Sequence, residues 1–324
     1  MRKTLLLLAL STILAAPSLF AQQDAQFSMY MFNRMTLNPA YAGARNALNI
    51  TAVGRSQWVG IDGHPNTFTL SADGPVDLLH GGIGGHFIFD EIGPMQTIGA
   101  RLAYAFRFDF GGERGEGSSL QLGIAPGIFS KQIDGTNFLP ENQADPRLVN
   151  IIGQTAGKSV FDLGAGIYFN TPGEKLYLGA AVDHILEPQL DVVEGLDETN
   201  LPLTVSAMAG YRIGREEAPV SVTPSAMFKM AGSQMQIDAN VNVEVSPMVF
   251  GISYRGLANT SDIVGIVGFN ANQRLFVAYS YDYTLSELQS STSGSHEILL
   301  SYTFPRLTRF YPPNLDTMDN PIVR

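Results

Sequence analysis

An all-β fold, a transmembrane antiparallel β-barrel of about 14 strands in an outer membrane, is what this sequence predicts. Three observations predict it. Apolar residues alternate with polar or small ones over stretches of about ten residues, the length of a tilted membrane-spanning strand. Only 15 % of the residues are charged, while glycine (33), phenylalanine (19) and tyrosine (12) are plentiful. A soluble chain carries about 25 % charge, so this one is built for surroundings other than water. Finally, connections after even-numbered strands are short and several after odd-numbered ones are long, the asymmetry expected of a bacterial outer-membrane barrel.

The opening residues predict export. Arg2 and Lys3 precede an apolar stretch, Thr4 to Ala16, and Ala21 is a small residue before Gln22. This reads as a signal peptide over residues 1–21, too short to span a bilayer as a helix. The net charge of −10 speaks against a nucleic-acid binder, whose affinity rests on basic side chains. With no cysteine, disulfides, Cys-ligated zinc, iron–sulfur clusters and thiol nucleophiles are all excluded.

Fourteen segments carry the strand pattern. They start near Ala47, Asn66, Gly81, Gln96, Ser119, Ser159, Lys175, Leu203, Val220, Met235, Val249, Asp262, Arg274 and His296. The alternation is plainest where Met235, Ile237, Ala239, Val241, Val243 and Val245 interleave with Gln236, Asp238, Asn240, Asn242 and Glu244. It is weakest in segments one, two, three and twelve, where glycine and small residues blur it. Short links (Gly111–Gly117, Thr171–Glu174, Gly214–Ala218, Ser246–Pro247, Ala271–Gln273) contrast with long ones (Gln132–Lys158, Ile185–Pro202, Thr284–Ser295), with Ala231–Gln234 the short exception among the latter set. An even strand count puts both chain ends on the periplasmic side. Aromatic residues at strand ends (Phe106, Phe108 and Phe110; Tyr281 and Tyr283; Tyr302 and Phe304) fit interfacial girdles. The chain thus divides into a signal peptide (1–21), an N-terminal periplasmic or lumen segment (22–46) that is aromatic but lacks strand alternation, the barrel (47–304), and a proline-interrupted periplasmic tail (305–324).

Catalytic and metal chemistry find little footing. The five histidines, His64, His80, His86, His184 and His296, show no ligand spacing. Gly81-Gly82-Ile83-Gly84-Gly85 opens no helix and precedes no Lys-Ser/Thr, so it reads as relief of crowding in a strand and not as a phosphate cradle. Ser293-Gly294-Ser295-His296-Glu297 is a polar loop entering a strand, unlike a nucleophile elbow. No cofactor and no metal are expected. The inward-facing charges (Arg101, Arg107, Asp109, Asp162, Asp183, Arg212, Asp238, Asp282 and Glu297) have mixed signs, which favours internal pairing over an ion-selective ring. The loop 185–202 holds Glu187, Asp191, Glu194, Asp197 and Glu198 without a basic residue, so it is either a solvated face or a docking surface for a basic partner.

Three stretches carry a resemblance. The first runs Gln26-Phe27-Ser28-Met29-Tyr30-Met31-Phe32-Asn33, then Leu37-Asn38-Pro39-Ala40-Tyr41-Ala42-Gly43. The second is Arg55-Ser56-Gln57-Trp58-Val59-Gly60-Ile61-Asp62-Gly63 with Pro65. The third is Tyr279-Ser280-Tyr281-Asp282-Tyr283-Thr284 with Ser286-Glu287-Leu288 and Ser293 to Glu297. In this order and spacing they resemble the PorP/SprF family of Bacteroidota outer-membrane proteins, over about Gln22 to Phe304. The resemblance implies a non-enzymatic part in type IX secretion, supporting secretion or surface attachment of cargo and gliding motility. It also implies contacts with the periplasmic ring and peptidoglycan-linked proteins. Partner contact is expected at Phe27, Tyr30, Phe32, Asn38, Pro39, Tyr41, Trp58, Glu187, Asp191, Glu194, Tyr281, Tyr283, Glu287, Arg306, Arg309 and Tyr311. Two readings compete with it: a diffusion or uptake channel for small or apolar solutes, and an outer-membrane hydrolase.

Overall fold

A computed structural model describes residues 24–45, 47–111, 117–136, 153–190, 192, 200–214, 218–257 and 260–304. Fourteen antiparallel strands form a closed barrel in chain order. They are β1 (Asn49–Ser56), β2 (Asn66–Val76), β3 (Gly81–Ile92), β4 (Met95–Phe110), β5 (Ser118–Asp134), β6 (Thr155–Asn170) and β7 (Leu176–Asp183). Then follow β8 (Thr204–Tyr211), β9 (Val220–Ala231), β10 (Gln234–Val245), β11 (Met248–Leu257), β12 (Thr260–Asn270), β13 (Leu275–Thr284) and β14 (Ser295–Thr303). β1 closes the ring on β14, from Asn49 opposite Thr303 to Ser56 opposite His296. Closure matters because lipid offers backbone N–H and C=O groups no partner.

The faces follow the alternation in the sequence. On β10, Gln236, Asp238, Asn240 and Asn242 are buried toward the lumen, while Met235, Ile237 and Val241 point outward. On β4, Arg101, Ala103, Ala105 and Arg107 point in, and Leu102, Phe106 and Phe108 point out. The outward belt is a large apolar surface that water would not tolerate and lipid accepts. Its rims are aromatic: the Phe106 and Phe108 rings lie 4.8 Å apart near one end, as do Tyr302 and Phe304, and Tyr281 and Tyr283 stand at the other.

Two ends of the barrel can be told apart. β1 begins and β14 stops at the turn end, where β10 meets β11 through Ser246 and Pro247 alone. The opposite, loop end carries the connections that follow odd-numbered strands. Three of those are two residues long, after β3, β9 and β11, where the sequence reading expects one short exception. The asymmetry therefore rests on the four remaining loops. β6 also starts at Thr155, before the expected Ser159, because β5 and β6 pair continuously out to Asp134 opposite Thr155.

The glycine-rich β3 becomes intelligible once the lumen is viewed. Gly43, from the segment before β1, adopts φ +71°, and a Cβ on it would sit 2.8 Å from the Gly82 Cα. A side chain on Gly82 would collide with the Ala42 carbonyl. Glycine is needed there because two backbones touch.

Candidate functional site: the segment inside the barrel

Residues 24–45 lie within the lumen. The segment contains three short 3-10 turns, Tyr30–Phe32, Arg34–Thr36 and Pro39–Tyr41. Each half packs on a different arc of the wall. Met29, Tyr30 and Met31 cluster with Val53, Met227, Val264, Ile266, Ala278 and Leu299. Met35, Ala40, Tyr41, Ala42 and Ala44 cluster with Ala103, Ala105, Ala125, Tyr168, Tyr177 and Met208. Small wall residues face the second half, which lets the segment approach closely.

Polar contacts fix the register. Near the loop end, the Ser28 and Met29 N–H groups donate to the two Glu297 carboxylate oxygens at 2.8 and 3.0 Å. The Ser28 hydroxyl donates to Asp282 at 2.6 Å and accepts from the Arg55 guanidinium at 2.8 Å. Arg55 also pairs with Asp282 at 2.7 Å and with Glu297 at 3.1 Å. Arg255 pairs with Asp238 at 2.8 Å and donates to the Phe27 carbonyl at 2.9 Å. These charges are almost wholly buried, so each depends on its partners to offset lost hydration.

A second charged cluster holds the start of the described segment. Asp24 meets His184 and Lys229, each at 3.2 Å. His184 reaches Asp162 at 3.1 Å, and Arg101 bridges Asp162 and Asp183 at 2.5 Å each. Burial alone would raise the Asp24 carboxyl, but Lys229 and His184 outweigh it and hold it well below the usual carboxylate range. Burial would lower the His184 imidazole; Asp24 and the hydrogen bond to Asp162 instead push it up to about 9. His184 is therefore an imidazolium at neutral pH.

Toward the turn end the contacts change character. The Asn38 side chain donates to the Ile167 and Ala180 carbonyls at 3.0 and 3.2 Å and accepts from the Ala40 N–H at 2.9 Å. Asp73 accepts from the Gly43 N–H at 2.9 Å, and Gln121 donates to the Ala42 carbonyl at 3.1 Å. Arg34 donates to the Tyr168 hydroxyl at 2.9 Å, pairs with Glu174 at 3.1 Å, and lies 3.7 Å from the Tyr177 ring centroid. A side chain on Gly123 would strike the backbone of Ala40.

The residues expected to meet a partner are thereby redistributed. Tyr30, Asn38, Pro39 and Tyr41 are buried inside the barrel, and Phe27 and Phe32 are half-buried there. Their surface is engaged in internal packing, leaving none of the buried four to an external protein. Asp24 also lies at the loop-end half of the lumen, beside Thr204 and His184, whereas Asn49 and Thr303 mark the turn end. Trp58, half-buried, joins the β1–β2 loop to the β13–β14 loop: its N–H donates to the Ser295 hydroxyl at 3.0 Å, and the Val59 N–H donates to the Gly294 carbonyl at 2.9 Å. Tyr281 and Tyr283 face outward; Glu187 and Glu287 are exposed at the loop end. Asp191, Glu194, Arg306, Arg309 and Tyr311 lie outside the described residues.

Sequence reasoning missed the residues that lock the segment: Asp24, Ser28, Arg34, Arg55 and Arg255. A signal was present, since Ser28, Arg55, Asp282 and Glu297 belong to three separate recognisable stretches, and these meet at one point. The mixed inward charges pair internally as expected, Arg101 with Asp162 and Asp183, and Arg107 with Asp109. Among the described residues no group of His, Asp and Glu converges as a metal site.

The fold and its filled lumen define an outer-membrane β-barrel with an internal segment. The chain belongs to the family of type IX secretion system membrane proteins PorP/SprF, whose model matches residues 19–302. No curated protein matches it. Among solved structures it is similar in fold to the CymD monoaromatic hydrocarbon channel, at 13 % identity and a TM-score of 0.50, covering 88 % of this chain and 96 % of that one. The toluene transporter TbuX of Ralstonia pickettii aligns at 10 % identity and a TM-score of 0.48, over 83 % of this chain and 92 % of that one.

Proposed function

We propose that this protein is a non-enzymatic, plugged component of the type IX secretion system that supports secretion or surface attachment of cargo and takes part in gliding motility. The occupied lumen carries this reading: residues 24–45 are anchored by buried ion pairs along the barrel, an arrangement suited to a rigid platform and ill suited to steady diffusion of solutes. In this reading a signal peptide is removed near Ala21, the turn end faces the periplasm, and the tail 305–324 extends from β14 toward the periplasmic ring and peptidoglycan-linked proteins. An outward wall in lipid offers a water-soluble partner little, and stable interfaces bury about 800 Å² per partner. The tail is the chain's best source of such area, and its prolines restrict the unbound chain and so lower the cost of ordering it.

Two measurements test this. Purified protein in planar bilayers is expected to show no steady conductance; stable open channels would favour the diffusion-channel reading. Deleting Pro305–Arg324 should leave a barrel that inserts and resists heat in gels, yet reduce recovery of periplasmic secretion components and surface display of cargo. Normal insertion with undiminished recovery and display would remove the tail from the mechanism.

A further inference from the structure

A cavity of about 220 Å³ opens between the internal segment, β2–β5 and, on the other side, β7–β9 with the loop after β7. The registers of the wall arrange its lining in rows. Thr69, Ile88, Gly99 and Phe129 lie side by side on four successive strands. One row nearer the loop end stand Asp90, Thr97 and Lys131. Gly99 lets the apolar floor form, because a Cβ there would sit 2.6 Å from the Phe129 ring and 2.8 Å from the Ile88 side chain. Phe27 and Leu37 of the internal segment face this floor across the cavity.

Two charges lining the cavity, Asp90 and Lys131, face no oppositely charged partner among the described residues. Asp24 is held by His184 and Lys229, Asp183 by Arg101, and Asp90 accepts from the Thr67 hydroxyl at 2.6 Å. Lys131 is only 7 % exposed, yet among the described residues it has neither a hydrogen-bond partner nor an ion-pair partner. The Thr69 hydroxyl and the Arg101 Nε–H, both in side chains lining the same cavity, are buried and unsatisfied as well. The charges balance in number once Asp162, shared by Arg101 and His184, is counted, but the Lys131 ammonium has no counter-ion of its own among the described residues and stands beside the apolar floor of Ile88 and Phe129. The complement is one negative charge on an apolar body. The cavity lies below the roughly 300–1,000 Å³ typical of pockets for drug-sized ligands, so that body is small.

We propose that this cavity binds a small apolar monocarboxylate, with its carboxylate on the Lys131 ammonium and its hydrocarbon against Phe129 and Ile88. The site lies beside an intact internal segment, so it describes binding and not passage through the barrel, and it stands independently of any role in secretion.

Titration calorimetry of the purified barrel in lipid nanodiscs tests it, with benzoate and hexanoate as probes and benzyl alcohol, hexanol and benzylamine as controls. At least one carboxylate is expected to bind wild type roughly tenfold or more tightly than its alcohol, the yield of one charge-assisted hydrogen bond to a buried group. Lys131→Met should reduce that carboxylate to the affinity of the alcohol and leave the alcohol unchanged, while Lys131→Arg should keep most of the preference. Should Lys131→Met fail to insert, Lys131→Gln and the wild-type comparison of acid with alcohol still decide. Failure of both carboxylates to bind, equal binding of acid and alcohol, preference for benzylamine, or unchanged carboxylate affinity in a folded Lys131→Met barrel would each overturn the proposal.

Discussion

The two halves of the internal segment are held by different forces. Asp24 to Ser28 are held by charge: carboxylates, guanidiniums and an imidazolium in buried networks. Asn38 to Gly43 are held by shape: backbone against glycine, an asparagine spanning two wall carbonyls, and alanines facing alanines. Charge networks respond to pH and to the loss of a single partner. Close packing responds to added volume. The same segment thus has one end that alkali can loosen and one end that alkali leaves in place and added volume disturbs.

The largest expected effect comes from breaking the charged end at Arg55. Arg55→Met keeps much of the side chain's bulk but leaves Asp282 and Glu297 buried with less compensation, and Ser28 loses a donor. Removing one partner of a buried pair costs about 3–5 kcal/mol. Urea unfolding in nonionic micelles should show a loss of that order, with protease sensitivity appearing first between Asp24 and Phe32. A loss below about 1 kcal/mol, the worth of a surface pair, would mean that this network does not hold the segment.

A smaller effect is expected from overfilling the packed end. Gly123→Leu places a side chain where Ala40 already lies, and overpacking costs about 1–3 kcal/mol. Hydrogen exchange should then accelerate at Ala40 and Tyr41, whose N–H groups bond within the turn around Asn38, while Ser28 and Met29 stay protected. Equal acceleration at both ends would show that the halves move as one unit and would dissolve the distinction between them.

Much of the wall is legible in the sequence because lipid enforces alternation on one face. β10 is the clearest case: every second side chain is apolar from Met235 to Val245, and those described as outward are the ones the alternation selects. β3 is obscure for a physical reason, since Gly82 meets the backbone of Ala42 and Gly43 and Gly84 meets the Met35 side chain of the internal segment, and alternation is not what those contacts require. The internal segment is legible as aromatic and lacking alternation, but its placement is not. Its contacts join residues far apart in the chain, Ser28 with Asp282 and Glu297 above all. Periodicity reports local geometry and is silent about such distances. The recognisable stretches contain Ser28, Arg55, Asp282 and Glu297 without revealing that they meet.

The smallest effect, and the one that isolates the charged end, is its response to alkali. The His184 imidazolium is favoured in the folded protein, its pKa raised from an ordinary 6.5 to about 9. A raised folded-state pKa contributes stability that is complete below 6.5 and lost as pH rises through about 9. Between pH 7 and 10 His184 should therefore release its proton, weakening its hold on Asp24 and Asp162. The segment stays partly tethered because Lys229 still faces Asp24 at 3.2 Å, which is why this effect ranks below the two substitutions. At the turn end Glu174 has the opposite sign: burial raises it, Arg34 outweighs that, and its carboxyl is held below the ordinary 4.5. Its contribution is lost only as pH falls through that lowered value, so alkali leaves it in place. Hydrogen exchange compared at pH 7 and 10, after correction for the intrinsic rate, should show loss of protection confined to the loop-end part of the segment around Asp24 to Ser28. In Lys229→Met the alkaline loss should grow, since the second cation facing Asp24 is gone. An unchanged profile at pH 10 in that variant would show that Asp24 and His184 do not anchor the segment, leaving the hold at that end to the network of Arg55, Arg255, Asp282 and Glu297 around Ser28.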